Sequence, residues 1–510
     1  MKKLIFNLAF ILLQMSFWAQ APTIEWQKCF GGTETEDMTC AQPTADGGYI
    51  LAGCTFSTNG PFSINHGYLD AWVLKISNTG NVQWQNCYGG SENDRFSSIQ
   101  PTADGGYIMA GYTQSNNGDV TSNHGSMDGW VVKINSTGSL EWQKSFGGTS
   151  VDQFYSIRPT PDGGYIMAGE SISNNGDVTG NHGNSDAWLL KINNIGNLVW
   201  QKCLGGTNLD HAKSIQLTSD GSYIMAGLTS STNGDVSGNT GFWNAWIVKI
   251  STTGNIQWQK CLGGVHDEFA TCIEPTPDGG YIFTGYTNSN DGDVSGNHGQ
   301  FDAWVVKLTD VGNLEWQKSL GGTNYDLGHY IQFTPDGGYI MSGSTLSING
   351  DVSGSYGGNE AWVVKLSNTG NLQWQKCLGG TNEESANSIF VTTDGGYIVT
   401  GLAYSNDGDV VGNNGSSDAW VVKLNPDNLS STNFELNTLS IYPNPSSSSI
   451  VLQNFKNSFF DKVYIIDLTG KVILTKTTSN QLNIEQLAKG IYSIEAYSGN
   501  EKFSCKFVKK

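Results

Sequence analysis

Two tryptophans recur every 58 residues, and that period constrains what the chain can become more than any other feature. Trp26, Trp84, Trp142, Trp200, Trp258, Trp316 and Trp374 each open a W-Q-(K/N)-x-x-G-G string. Trp72, Trp130, Trp188, Trp246, Trp304, Trp362 and Trp420 each sit in (A/G)-W followed by two aliphatics and Lys. Neither series contains an insertion or deletion. A fixed period of this length marks a repeat architecture, in which a unit buries its faces only by stacking on its neighbours.

Within one period, short runs of alternating apolar and polar residues are separated by Gly, Asn and Asp, which is the pattern of strands and turns. In the third copy the spacing predicts strands over 155–158, 165–169, 187–192 and 198–204. Four strands repeated seven times predict an all-β fold, a seven-bladed β-propeller of 58-residue repeats over residues 21–424. A linear β-solenoid is the alternative. The phase of the repeat favours a ring, because the last copy stops after Trp420 to Leu424 without a W-Q-K strand, while residues 23–30 carry one ahead of the first copy. Pairing of 23–30 with the strand of Trp420 would complete the last blade and hide an open sheet edge.

The succession D-A-W-V-V-K-L, G-N-L, W-Q-K-x-L-G-G-T, an acid, D-G-G-Y-I and G-x-T-x-S resembles the seven-bladed beta-propeller repeat family, often called SBBP repeats. The resemblance covers residues 22–424. It implies a propeller in an extracytoplasmic setting and implies no reaction, since propellers host unrelated activities.

The ends differ from this body. Lys2 and Lys3, an apolar run from Leu4 to Leu13 and the small residues Ala19 and Ala21 predict an export signal over residues 1–20. The run is far shorter than the ~20 apolar residues of a spanning helix, and no later segment qualifies, so no transmembrane anchoring is expected. A Ser/Thr/Asn-rich linker is expected over 425–436, followed by a strand-rich module over 437–510. Its Ile441-Tyr442-Pro443-Asn444-Pro445 start, Asp467-Leu468-Thr469-Gly470-Lys471, Gly490-Ile491-Tyr492 and terminal lysines Lys506, Lys509 and Lys510 resemble the C-terminal sorting domain of the type IX secretion system. That family implies a small C-terminal β-sandwich, the type IX machinery as partner and export across an outer membrane to a secreted or cell-surface location. A carbohydrate-binding or fibronectin-like module is the alternative.

Charge narrows the partners. Of 46 acidic and 27 basic residues, 40 acidic and 16 basic fall within residues 21–433, and Arg95 and Arg158 are the only arginines. No nucleic-acid surface is expected, since it requires clustered Lys and Arg. Sialidase chemistry, which clamps a carboxylate with three arginines, is excluded on the same count. The T-x-D-G-G strings are read as turn devices.

Three sets of residues are candidates for a site. Glu36, Asp94, Asp152, Asp210, Glu268, Asp326 and Glu384 follow the G-G of each copy. They are expected on the connections between blades, as structural acids that lock each joint or as a cation-attracting mouth. In the fifth copy Asp291, Asp293, Ser295, Asn297 and Asp302 have the 1, 3, 5, 7, 12 spacing of a calcium loop with Gly296 at position 6, although ordinary Asx turns explain such loops too. The first copy lacks the pattern, having Pro61 and Phe62 there. Calcium is the one candidate cofactor, and none is required. His66, His124, His182 and His298 share a loop position too far from one another for a zinc site and read as structural. Finally, Cys40 and Cys54 flank the Asp46-Gly47-Gly48 turn almost symmetrically, the placement of a cross-hairpin disulfide that export would permit.

Two function classes follow: a non-catalytic binding, adhesion or scaffold module for an extracellular protein or glycan, or an extracellular polysaccharide hydrolase or lyase. The first is preferred, because an active site needs unlike groups converging and a ring without insertions offers no asymmetric loop to host them.

Overall fold

A computed structural model describes residues 20–59, 65–427, 440–442, 446–453, 460–467, 471–477, 480–498 and 501–510. The export signal up to residue 19, Pro61, Phe62, linker residues 428–436, Pro443 to Pro445 and residues 468–470 lie outside them. The chain divides into two units, Met1–Asn428 and Leu429–Lys510. Among the described residues no helix is long and apolar enough to cross a membrane.

The first unit contains seven four-stranded antiparallel sheets. The third copy supplies Asp152–Pro159, Tyr165–Ser171, Asp186–Ile192 and Leu198–Leu204, hydrogen-bonded in that order. The first strands of successive sheets touch one another, and Glu384–Val391 of the last sheet touches Glu36–Pro43 of the first. The sheets therefore form a closed cycle with their first strands innermost, a propeller-like arrangement. The outermost strand of the last sheet is Ile24–Phe30, which pairs antiparallel with Asp418–Leu424 and sets Cys29 opposite Trp420.

The two tryptophan series pack in different ways. Trp72, Trp130, Trp188, Trp246, Trp304 and Trp362 have no solvent exposure, and Trp420 has 2%. Trp188 stacks at 4.8 Å on Phe154 of its own sheet. The outer-strand tryptophans are mostly half-buried and tilt onto a tyrosine of the next sheet, as Trp142 does on Tyr165 at 6.3 Å. Each third strand also carries a lysine whose stem is buried and whose ammonium reaches the aspartate of the D-G-G turn: Lys75 to Asp46, Lys191 to Asp162, Lys365 to Asp336 and their counterparts. That pair ties the V-K of one motif to the D-G-G of another.

The inner strands begin three residues earlier than the sequence pattern predicts, at the acid itself, so the acid is the first strand residue instead of part of the connection. Every inner strand also carries a β-bulge: the ladder slips after its third residue and leaves the fourth unpaired. The Asp46-Gly47-Gly48 turn corrects the expected facing of two cysteines. Closed between Thr44 and Gly48, it sets Pro43 opposite Tyr49 and so Cys40 opposite Ala52; beyond the bulge Cys54 lies opposite Asp37, and both are free thiols.

The second unit has a three-stranded sheet, Ser440–Tyr442, Ser449–Gln453 and Gln481–Asn483, and a four-stranded sheet, Val472–Thr477, Lys462–Ile466, Gly490–Ser498 and Glu501–Lys509. Ile450, Leu452 and Leu482 of the smaller sheet share one apolar cluster with Val463, Ile465, Ile494 and Phe507 of the larger.

Candidate functional site

The seven acids at the head of the inner strands are fully buried. Each is held by hydrogen-bond donors from its own copy. Glu36 Oε2 accepts from Gly32 N at 2.7 Å and Oε1 from the Thr55 hydroxyl at 2.7 Å; Asp94 accepts from Gly90 N at 2.8 Å, from the Ser115 hydroxyl at 2.7 Å and from Thr113. They lie inside the joints and do not face solvent.

The calcium-spaced residues of the fifth copy are engaged separately. Asp291 Oδ1 accepts from Val265 N at 3.0 Å, Asp293 Oδ2 from Gly263 N at 3.2 Å and Ser295 Oγ from Gln317 Nε2 at 2.7 Å. Asn297 bridges Thr287 O and Gly299 N. Asp302 Oδ2 accepts from the backbone N of His298, whose Nδ1 stands 2.7 Å from the same oxygen. The equivalent His182 contacts Asp186 in the same way. Among the described residues no three His, Cys, Asp or Glu side chains are grouped as metal ligands would be.

The asymmetry of the molecule lies on its axis. Inner strands alternate buried and half-buried positions near their start, and the second, fourth and seventh residues, half-buried except for Gln216 and Phe390 at the seventh, differ from copy to copy. The fourth, extruded by the bulge, is Thr39, Ser97, Tyr155, Lys213, Thr271, His329 or Asn387. All seven line a 150 Å³ cavity to which every inner strand contributes. A larger recess of 440 Å³ opens between the third and fourth sheets beside His182, Lys202 and Asp235, but it gathers fewer unlike groups.

Two polar clusters adjoin this cavity through Tyr155, Lys213 and Arg158. In the first, Glu170 Oε2 lies 2.6 Å from His211 Nε2, and its Oε1 accepts from the Tyr155 hydroxyl at 2.8 Å and from Gln153. Burial opposes the Glu170 charge, yet the bond to His211 and the nearby positive charge of His211 and Lys213 outweigh it and hold the carboxyl at about 2. Lys213 Nζ sits 3.5 Å above the Tyr155 ring, and burial pushes its ammonium down to about 8 against the pull of Glu170. In the second cluster, Arg158 Nε donates to Gln216 Oε1 at 2.7 Å and Gln216 Nε2 donates to Glu274 Oε1 at 2.5 Å. Burial raises Glu274 to about 7 despite Arg158, Tyr330 and Gln216.

Next to the first cluster runs a set of aromatic rings. His211 lies 6.3 Å from Trp243, Trp243 stacks on Phe269 at 6.2 Å, and Phe269 stacks on Tyr286 at 4.7 Å. Phe301 meets Tyr286 edge-on at 5.5 Å and stacks on Tyr325 at 5.8 Å. Phe242, 71% exposed, stands edge-on to Trp243. The repeat does not require these rings: positions equivalent to Trp243 hold Leu69, Met127, Ser185, Asn359 and Ser417, and those equivalent to Phe269 include Asp37, Gln153 and Ser385. Reading motifs for what recurs passes over such residues; the signal that finds them is the columns of the 58-residue alignment that vary.

Comparison with known proteins bears on the two units unequally. A regulatory protein of Caulobacter vibrioides, FlaEY, is 27% identical over 191 residues, a match spanning 33% of this chain and 20% of that protein. The WD40 domain of Neurospora crassa Pan2 is 11% identical with a TM-score of 0.43, over 76% of this chain and 89% of that one. A puromycin hydrolase is 9% identical with a TM-score of 0.45, over 92% and 60% respectively. Residues 440–510 match the family described as the secretion system C-terminal sorting domain. On that match the C-terminal unit is a type IX sorting domain, and the protein is one that is secreted or displayed at the cell surface.

Proposed function

We propose that this protein is a seven-bladed β-propeller of the SBBP type that binds a glycan at the outer cell surface without transforming it. On this reading residues 1–20 are a cleaved Sec signal, 21–424 the propeller, 425–436 a linker and 437–510 a sorting β-sandwich. The observation that carries it is the aromatic set from Phe242 to Tyr325, half-buried to exposed and present in one sector only. Aromatic faces pack against the C–H faces of sugar rings, while Tyr and Trp also offer a polar edge. His211 and Glu170 stand at the end of the set, where a bound sugar would find a donor and an acceptor. A glycan array probed with the secreted protein, paired with a pull-down from the outer surface, tests it: the expected result is retention of a defined oligosaccharide, and capture of a protein partner with no glycan retained overturns it.

A second reading, an extracellular polysaccharide hydrolase or lyase, draws on the contact between Glu170, His211, Tyr155 and Lys213, four unlike titratable groups beside the axial cavity. Turnover of a retained glycan, abolished in Glu170→Gln, would establish it over the first.

A further inference from the structure

The buried acids at the head of the inner strands do not stand alone. The third strand of each sheet begins with a second buried polar residue, which in six copies is also acidic: Asp70, Asp128, Asp186, Asp302, Glu360 and Asp418, with Asn244 in the fourth. Each acid is acted on by the inner-strand acid of the following sheet, and in three joints the two flank one glycine. A Cβ built on Gly379 would lie 2.5 Å from Oε2 of Glu360 and 2.5 Å from Oε2 of Glu384. One built on Gly31 would lie 2.2 Å from Oδ1 of Asp418 and 2.5 Å from Oε2 of Glu36, and on Gly147 it would lie 2.7 Å from Oδ1 of Asp128 and 2.8 Å from Oδ2 of Asp152. Two carboxylates thus flank one glycine, close enough for a single ion to touch both, since Ca–O bonds run at about 2.3–2.6 Å.

One oxygen of each third-strand acid is satisfied. Asp418 Oδ2 accepts from Asn414 N at 3.1 Å, Glu360 Oε1 from Tyr356 N at 2.7 Å, and Asp186 Oδ2 from His182 N at 3.0 Å. The other oxygen has no hydrogen-bond partner, and the same atom recurs without one around the ring: Oδ1 of Asp70, Asp128, Asp186, Asp302 and Asp418, and Oε2 of Glu360. In the joints at Gly31, Gly147 and Gly379 this orphan oxygen is the one turned toward the neighbouring acid. Burying an unpaired acceptor is costly, and placing a second carboxylate beside it costs more. No cationic side chain is among the groups acting on Glu360 or Asp418, whereas a histidine Nδ1 stands 2.5–2.7 Å from the satisfied oxygen of Asp70, Asp128, Asp186 and Asp302.

We propose that each of these six joints binds a divalent cation of the calcium class between its two carboxylates. Two acids match the charge of one such ion, and the orphan oxygen supplies the ligand that the protein leaves unused. The repeat also bears on the rival occupant, a single shared proton. A proton would need only a neutral donor at the third-strand position, and the fourth copy shows that the fold accepts an amide there, yet six copies keep the acid. The ion belongs to the joints and not to the loop of Asp291, whose oxygens already have protein donors.

The test uses the full secreted protein, stripped with a chelator and then titrated with calcium, with magnesium and sodium as controls. Elemental analysis after dialysis against micromolar calcium is expected to find up to six ions per chain, and the melting midpoint to rise by about 5 °C or more on adding calcium. Asp418→Asn and Glu360→Gln should each lower the count by one. Asn244→Asp, which completes the fourth pair, should raise it by one even if the loss variants fold poorly. No retained metal with a calcium-independent melt overturns the proposal, as does an unchanged count in Asn244→Asp. Stability that instead falls as pH rises through about 6 would assign the pairs a shared proton and overturn it too.

Discussion

Trp420 donates its indole N–H to Gln27 Oε1 across 2.8 Å, joining residues 393 positions apart in the chain. Trp130 makes the same bond to Gln143 at 2.9 Å, only 13 positions on. The last sheet is therefore built like the others, with a strand taken from the far end of the sequence. Removing residues 22–31 from the secreted protein should expose the edge of Asp418–Leu424 and lower the melting midpoint sharply, whereas Gln27→Ala should cost about 1 kcal/mol. An unchanged melt in the deletion would show that the pairing contributes nothing to stability.

Trp188 is completely buried and stacked on Phe154, so Trp188→Ala is expected to destabilise by about 3–5 kcal/mol in chemical denaturation. Trp200, on the outer strand, is half-buried, and its alanine variant should lose markedly less. Equal losses would contradict the division of labour between the two tryptophan series.

Gly285 faces the bulge of its inner strand, and a Cβ there would fall 1.7 Å from the carbonyl oxygen of Phe269. Backbone, not a movable side chain, blocks that space. Gly285→Ala should therefore destabilise by several kcal/mol, while Gly279→Ala, where a Cβ meets nothing but φ is +89°, should cost about 1 kcal/mol from backbone strain alone. Comparable melts for the two would mean the bulge yields easily.

Asp104, Asp162, Asp278 and Asp394 each pair with the lysine of their own sheet. Burial works against their charge, but a threonine hydroxyl, the lysine ammonium and a glycine N–H together hold these carboxyls at about 2. Because the folded values lie below the ordinary 3.8, the stabilisation is complete above about pH 4 and is lost as pH falls toward 2. An acid titration followed by circular dichroism should show loss in that window, and Asp162→Asn should flatten it slightly. These aspartates are partly exposed, so each effect is small.

Trp243 stacks on Phe269 at a position the repeat fills elsewhere with Leu, Met, Ser, Phe or Asn. If the aromatic set holds a sugar, Trp243→Ala should weaken glycan binding about tenfold, equivalent to ~1.4 kcal/mol, with a melt close to the parent protein's. Unchanged binding would place the ligand elsewhere.

Much of the architecture was legible because the 58-residue period states each sheet seven times over. The Trp72 and Trp26 series, the D-G-G turns and the unpaired W-Q-K strand were all readable as pattern. The bulge was not, since an extruded residue leaves no mark in a sequence that alternates on both sides of it, and the spacing of Cys40 and Cys54 about Gly47 does not reveal that the turn is centred on Asp46, which sets Cys40 opposite Ala52. The axial clusters were hidden differently. Lys213, His211 and Glu170 stand in columns that vary from copy to copy, and only the ring brings them within reach of one another. Asp70 and its counterparts recur as an acid in six of the seven copies, but an acid two residues before the tryptophan reads as the end of a loop until its burial is seen.

The pairing of Ile24–Phe30 with Asp418–Leu424 also sets an order of events. The strand that emerges first from the ribosome is the one that must wait longest, because its partner is made almost four hundred residues later. Closing so long a loop is slow, and until it closes two sheet edges stay open to other chains. The ring thus has a latch whose halves are made at opposite ends of synthesis. A chain truncated before residue 418 would keep six complete sheets yet have nothing to lock them with, so premature termination should yield an aggregating product instead of a smaller stable one.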